Sequence, residues 1–182
     1  MKHPRGHNIN FKEVPIQTFP SFELVLNEIE QRAPHNEIVE LTRQGVICPV
    51  DSVDGEFISN VFLRQKKDPG HYRMIMNVKA LNKFVEKQHF KMDTLDTVLS
   101  MVTPGAFFAS LDFKNAYYSF AMAKNSRKYL RFHHNGQLFE FQALPQGLTS
   151  CCFFFTKAMK IPLSYLREYH NVTISGYLDD TL

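Results

Sequence analysis

An α+β fold with antiparallel strand pairing is what this sequence predicts, and three observations predict it. Helix-period and strand-period segments are mixed, with local hairpins in place of strict strand–helix–strand alternation. Asn135-Gly136 divides two alternating runs, a strong sign of a two-residue hairpin turn. "DPGH" at 68–71 divides two β-rich runs, "FISNVFLRQKK" and "YRMIMNV", in the same manner.

The elements follow in chain order. Residues 1–20 carry Pro4, Pro15 and Pro20 with little periodicity and read as an extended arm. "SFELVLNEIEQRA" follows a proline, opens on a Ser cap and has apolar residues at 22, 24, 25, 26 and 29, so it predicts a short helix. "NEIVELTRQGV" predicts another, capped by Asn36 and stopped by Gly45. The basic hairpin spans 57–78. "DTLDTVLSMV" has helical spacing and ends before Thr103-Pro104-Gly105. "AFFASLDF" is almost wholly apolar, as a buried strand would be. "YLRFHHNGQLFEFQAL" is two alternating strands around the Asn-Gly turn. From Leu148 to about Tyr169 the pattern is helical, with Pro162 forcing a kink or break. "NVTISGYL" predicts a last strand that runs into Asp179.

The 182 residues suffice for one ordinary domain or slightly more, and 44% hydrophobic content with 17 Phe supplies a packed core. The formal charge of +3 says little, but its distribution says more. Residues 64–91 hold eight Lys/Arg (64, 66, 67, 73, 79, 83, 87, 91) against Asp68 and Glu86. Such a stretch suits a polyanion, nucleic acid or nucleotide phosphate, the bland alternative being a solvated face. Cys48, Cys151 and Cys152 form no disulfide framework. No apolar run follows the first charges, and no stretch of 18 apolar residues occurs. The chain is therefore expected to be intracellular, cytoplasmic or nuclear, with no membrane contact.

The acids are the chemical signal. Asp112 ends one short hydrophobic run; Asp179 and Asp180 end another. If both runs lie in one sheet, three carboxylates converge, and like charges packed together need a cation. Oxygen-only ligation suits Mg²⁺ shared with substrate phosphates. Two such ions activate a hydroxyl and stabilise the leaving oxygen of a phosphoryl transfer. A turn dipeptide for Asp179-Asp180 and a helix cap for Asp112 are the alternatives for each taken singly.

"LDFKNAYYS", "LPQGLTSCCFFF" and "YLDD", in that order, resemble the palm motifs of reverse transcriptases. "GEFISNVFLRQKKDPGHYRMIMNVKALNKFV" resembles the fingers of retrotransposon polymerases. "HFKMDTLDTVLSMVTPGAFFASLDFKNAYYSFAMAKNSRKYLRF" is especially similar to the DIRS-like group. The resemblance covers roughly 36–182 and implies a right-hand polymerase: an arm and helix at 1–35, fingers at 36–105, and an incomplete palm at 106–182 ending at YLDD. The palm it implies is an antiparallel sheet packed on helices, truncated before the thumb. It implies RNA-directed DNA polymerase activity, with primer–template nucleic acid (RNA or DNA) and a dNTP as partners. It also implies two Mg²⁺ ions, or Mn²⁺ in their place, on Asp112, Asp179 and Asp180.

Further roles are implied residue by residue. The backbone of Phe113 lines the triphosphate site. Tyr117 lies under the sugar, where it excludes a 2′-hydroxyl, unless it is a core tyrosine. Lys66 and Arg73 grip the triphosphate, with Lys67 or Arg64 as substitutes for Lys66. Gln146 and Gly147 contact nucleotide and template, or Gln146 caps the following helix. Phe153, Phe154 and Phe155 read as core, Cys151 and Cys152 as packing, and His133 and His134 as exposed.

Asn115 stands where an acid is often found, and "LRQKK" departs from the usual fingers strand. The strand after Asp180 that helps join the YLDD strand to the Asp112 strand is expected to be missing, leaving the isolated fragment without useful activity. The rival readings are a domesticated, non-catalytic nucleic-acid-binding module and another palm nucleotidyltransferase such as an RNA-dependent RNA polymerase, against which Tyr117 argues.

Overall fold

The structure, a computed structural model, describes residues 6–18, 28–65, 72–107, 109–113, 115–178 and 180–181. In chain order its elements are α1 (Glu28–Arg43), β1 (Ile47–Pro49), β2 (Val61–Gln65), β3 (Tyr72–Met76), α2 (Leu95–Met101), β4 (Leu111–Asp112), α3 (Lys124–Arg127), β5 (Arg131–His134), β6 (Gln137–Phe141), α4 (Cys151–His170), β7 (Gly176–Tyr177) and β8 (Asp180–Thr181). Short 3₁₀ turns cover Leu81–Lys83 and Ala116–Ser119. Every named strand pair is antiparallel. The chain forms two compact units, residues 1–86 with 117–149, and 87–116 with 150–182.

The first unit contains two sheets, β1-β6-β5 and β2-β3. Asn135 (φ 49°) and Gly136 (φ 72°) both take the left-handed conformation that a type I′ turn demands. That turn fixes the β5–β6 register, with His134 opposite Gln137 and Arg131 opposite Glu140. Phe132, Phe141 and Leu130 are fully buried, and the Phe132 and Phe139 rings stack at 5.6 Å between centroids. Beside this apolar layer Arg131 is buried yet paired twice, with Glu140 (2.6 Å) and Glu56 (2.6 Å). The paired geometry offsets the desolvation that an isolated buried guanidinium would suffer. The arm is extended as expected. Gln17 exchanges two hydrogen bonds with the backbone of Ile58, and Gly6 lies so close to Ala121 and Met122 that a Cβ would stand 2.6 Å from their backbone.

The second unit contains α2, α4 and a sheet ordered β4-β8-β7. Thr94 caps α2 through its hydroxyl, which accepts from the Thr97 N–H, and the helix stops before Pro104 as its sequence predicts. Helix α4 runs 20 residues without a break at Pro162 and ends in a left-handed Asn171. Phe155, Leu163 and Cys151 are its buried residues, while Phe153 and Phe154 are half-buried; Phe153 meets Phe90 edge-on at 5.9 Å.

Several expectations need correction. The two predicted helices around Pro34 are one, α1, so Asn36 is an interior residue; residues 21–27 of the first lie outside the described residues. Gly45 (φ 71°) does terminate it: its N–H donates to the Thr42 carbonyl and that of Val46 to the Leu41 carbonyl, which closes the last turn. "AFFASLDF" is not a buried strand. Among its described residues only Leu111 and Asp112 pair, and Phe107 and Leu111 are exposed. A continuous apolar run carries no periodicity that would separate the two cases. "NVTISGYL" narrows to Gly176–Tyr177, and His133 and His134 are half-buried in β5. Most consequential, a strand does follow the YLDD turn: Asp180 and Thr181 form β8, the central strand of the sheet.

Candidate active site

In the second unit the backbone of two acidic positions comes together. Strand β8 lies between β4 and β7, with Asp180 opposite both Asp112 and Tyr177. Residues directly opposite in an antiparallel pair share a face, with Cβ atoms about 4.5–5.5 Å apart. Like charges at that spacing repel unless a cation bridges them. Asp179 lies outside the described residues, and for Asp112 and Asp180 the structure describes the backbone. Among the described residues no group of three or more His, Cys, Asp or Glu side chains that could hold a metal ion is present. What the ladder shows is the register alone, Asp112 opposite Asp180 across β4 and β8.

The turn that returns β8 onto β7 begins at Leu178, whose φ is +56°. A branched aliphatic residue in that region is strained by about 1–2 kcal/mol. Such outliers persist where the surroundings over-determine them, and they concentrate at functional sites. Phe113, the residue after β4, is 38% exposed.

The nucleotide-binding candidates are in the first unit, Phe113 apart. Arg73 is on β3, opposite Arg64 of β2. Lys66 and Lys67 fall on the β2–β3 connection, outside the described residues. Arg64, Lys79 and Lys83 are exposed. Tyr117 is buried (7% exposed) in the Ala116–Ser119 turn. Gln146 is half-buried and Gly147 exposed, with φ +95° at the glycine, a conformation that other residues rarely take.

Sequence reasoning missed the side chain that braces this loop. Asn82 donates from Nδ2 to the Gly147 carbonyl (2.8 Å) and accepts from the Thr149 N–H at Oδ1 (2.8 Å). The only signal was an amide between Leu81 and Lys83 in "KALNKF", too weak to single out. A cleft of about 290 Å³ opens near that segment, lined among others by Gln17, Phe57, Ser59, Asn60, Lys79 and Lys83. The buried Ser59 Oγ has no hydrogen-bond partner among the described residues.

Comparison with known proteins places these features in one family. Residues 64–182 match the family model described as "Reverse transcriptase (RNA-dependent DNA polymerase)". The Tf2-3 and Tf2-7 transposon polyproteins of Schizosaccharomyces pombe (strain 972 / ATCC 24843) are each 25% identical over 169 residues. These matches span 93% of this chain but 12% of each polyprotein, so the chain is about an eighth of the length of those relatives. Prototype foamy virus protease-reverse transcriptase superposes with a TM-score of 0.79 at 22% identity, over 97% of this chain and 22% of the viral one. The foamy viral protein solved in complex with an RNA/DNA hybrid gives 0.73 at 22% identity, over the same shares. The α+β architecture is accordingly that of the fingers and palm of such polymerases. With a family match over residues 64–182 and the paired Asp112 and Asp180 positions inside it, this chain belongs to the reverse transcriptases.

Proposed function

We propose that the chain carries the fingers and the catalytic palm strands of an RNA-directed DNA polymerase of a retroelement. The observation that carries the reading is the β4–β8 register, which sets Asp112 opposite Asp180. In the reaction the primer 3′-oxygen bonds to the α-phosphorus of a dNTP, its proton is lost, and the bond from that phosphorus to pyrophosphate breaks. Asp112, Asp179 and Asp180 would hold two Mg²⁺ ions. When bound, these lower the pKa of the attacking hydroxyl and neutralise the charge on the leaving oxygen.

The remaining roles belong to the chain's own groups. Arg73 offers a planar fork to the triphosphate, and Lys66, with Lys67 or Arg64, a mobile point charge. The Phe113 backbone borders the triphosphate. The rigid, buried Tyr117 ring discriminates against a 2′-hydroxyl by contact. Gln146 and Gly147, braced by Asn82, present backbone to the nucleotide and template. The cleft beside Lys79 and Lys83 supports binding of a single strand, since aromatic floors with ammonium groups suit bases and phosphates. On the "HFKMDTLDTVLSMVTPGAFFASLDFKNAYYSFAMAKNSRKYLRF" stretch we also propose a DIRS-like element as the source, and an intracellular site of action.

The test is dNTP binding and single-nucleotide incorporation on a primed RNA template. Binding should require Mg²⁺ or Mn²⁺ and be lost in Asp112→Asn. Arg73→Ala should weaken dNTP and spare primer–template. Tyr117→Ala should admit rNTPs. Incorporation by the isolated chain should be slow, because strands of two residues hold the acids loosely and a misplacement of about 1 Å costs on the order of 100-fold. Salt-dependent nucleic-acid binding with no Asp112-dependent use of dNTP would instead identify a non-catalytic binding module.

A further inference from the structure

Strands β4, β7 and β8 are each two residues long. Ladders this short are marginal and fix register weakly. A slip of one residue would set Thr181, not Asp180, opposite Asp112. The strained Leu178 adds to the burden. Something outside the ladder must hold the hairpin in place.

The residues that do so immediately precede β7. Arg167, in the last turn of α4, donates to the Ile174 carbonyl from both Nε (3.0 Å) and a terminal guanidinium nitrogen (2.7 Å). The next residue, Ser175, donates from Oγ to a carboxylate oxygen of Asp93 (2.8 Å). That same oxygen stands 3.6 Å from the Arg167 guanidinium, so the two anchors form one linked group. Ile174 and Ser175 are buried, at 7% and 4% exposure, whereas the next pairing residue, Gly176, begins the acid hairpin. Asp93 directly precedes Thr94, the cap of α2. The group therefore ties the hairpin entry to α4 and to the start of α2 at once. Leu178, Gly176, Asp93 and Arg167 also line one small cavity of about 50 Å³ with Leu163, so the strained turn packs against its own anchor.

We infer that Arg167, Asp93 and Ser175 are positioning residues for the metal-binding acids: they fix where the chain enters β7, and through it the Asp112–Asp180 register. The inference rests on the proposed function. The planar guanidinium is needed for the two-point grip on one carbonyl, which an ammonium cannot reproduce. Groups that orient metal ligands without touching the metal commonly change affinity by about 10–100-fold when removed.

The test uses the whole chain and Mn²⁺ alone, followed by electron paramagnetic resonance, with amide hydrogen exchange at Gly176 and Tyr177 and thermal unfolding alongside. Arg167→Met, which keeps the aliphatic stem, should weaken Mn²⁺ by about 10-fold and speed exchange at the hairpin. Arg167→Lys should restore only part. Asp93→Asn, which leaves an acceptor for Ser175 but no charge for Arg167, should fall between wild type and Arg167→Met. If Arg167→Met fails to fold, Asp93→Asn and Ser175→Ala decide. Wild-type Mn²⁺ affinity in these variants overturns the inference, even if exchange rises, since the group would then be merely structural. If the wild-type chain shows no Asp112-dependent Mn²⁺ binding, the proposed function fails instead. The anchoring itself is then judged by exchange, and unchanged rates at Gly176 and Tyr177 would refute it.

Discussion

The β5–β6 hairpin and the β7–β8 hairpin are both closed by two-residue turns, yet they are held in opposite ways. The first has Asn and Gly at its left-handed positions, pairs four residues on each side and buries Phe132 and Phe141. The second opens its turn with a leucine at φ +56° and pairs two residues on each side. Charges differ as well. On the first, Arg131 sits opposite Glu140 and neutralises it; on the second, β8 sets Asp180 opposite Asp112, like against like. One hairpin is specified by its own sequence. The other leans on its neighbours, and that is the condition expected of a site as distinct from a core.

The strongest way to break this contrast is to remove the cation from the stable side. Arg131→Met keeps most of the buried volume but leaves Glu56 and Glu140 buried without their partner. It should destabilise the chain by about 3–5 kcal/mol, read by denaturant unfolding. The same pair gives an acid limb. Burial pushes the Glu56 carboxyl up, but hydrogen bonds from Ser52, Arg131 and the Val53 N–H, with the Arg131 charge, outweigh it and hold its pKa below the ordinary value. The unfolded chain therefore binds this proton first. The stabilisation is complete above about pH 4.3, and is lost as pH falls through the lower folded value. Arg131→Met should flatten that limb; an unchanged limb would show that the pair is not its source.

A smaller effect probes the loop at Gly147. A Cβ there would sit 3.4 Å from Val78 Cγ2, an ordinary contact, so space is not the objection. The objection is φ at +95°. Gly147→Ala should cost about 1–2 kcal/mol, measured by thermal unfolding, and should weaken dNTP binding by moving the backbone that Asn82 braces. Full stability with unchanged nucleotide binding would remove Gly147 from the site.

How much of this was legible in the sequence follows the same division. Asn135-Gly136 and Gly45 announce themselves because local chemistry dictates local geometry there. The expectation that the Asp112 run and the chain's last acids share one sheet holds for the Asp112 and Asp180 positions, which pair across β4 and β8. What failed is what depends on distant partners. Nothing local in "EIEQRAPHNEIVELTR" says that one helix continues past Pro34, and nothing in "AFFASLDF" says that just two of its described residues pair. The strand at Asp180–Thr181 is two residues long and carries no periodicity at all. Arg167 reads as an ordinary cation at a helix end, favourable there on dipole grounds alone. Only its grip on Ile174 distinguishes it.

The smallest expected effect is also the one that separates the two regions most sharply. A carboxylate in a structural sheet earns its place by pairing; one in a metal site opposes folding until the cation arrives. Asp112→Asn removes one of two like charges at directly opposite positions, and should therefore raise metal-free stability by about 0.2–1 kcal/mol. Added Mg²⁺ should reverse the order, because a ligand that binds only the folded chain stabilises it by RT ln(1 + [L]/Kd). Wild type gains that term and Asp112→Asn does not, so their unfolding midpoints should cross as Mg²⁺ is titrated. Curves that stay parallel would mean that the β4–β8 register brings two acids together for no cation, leaving the second hairpin only a weaker version of the first.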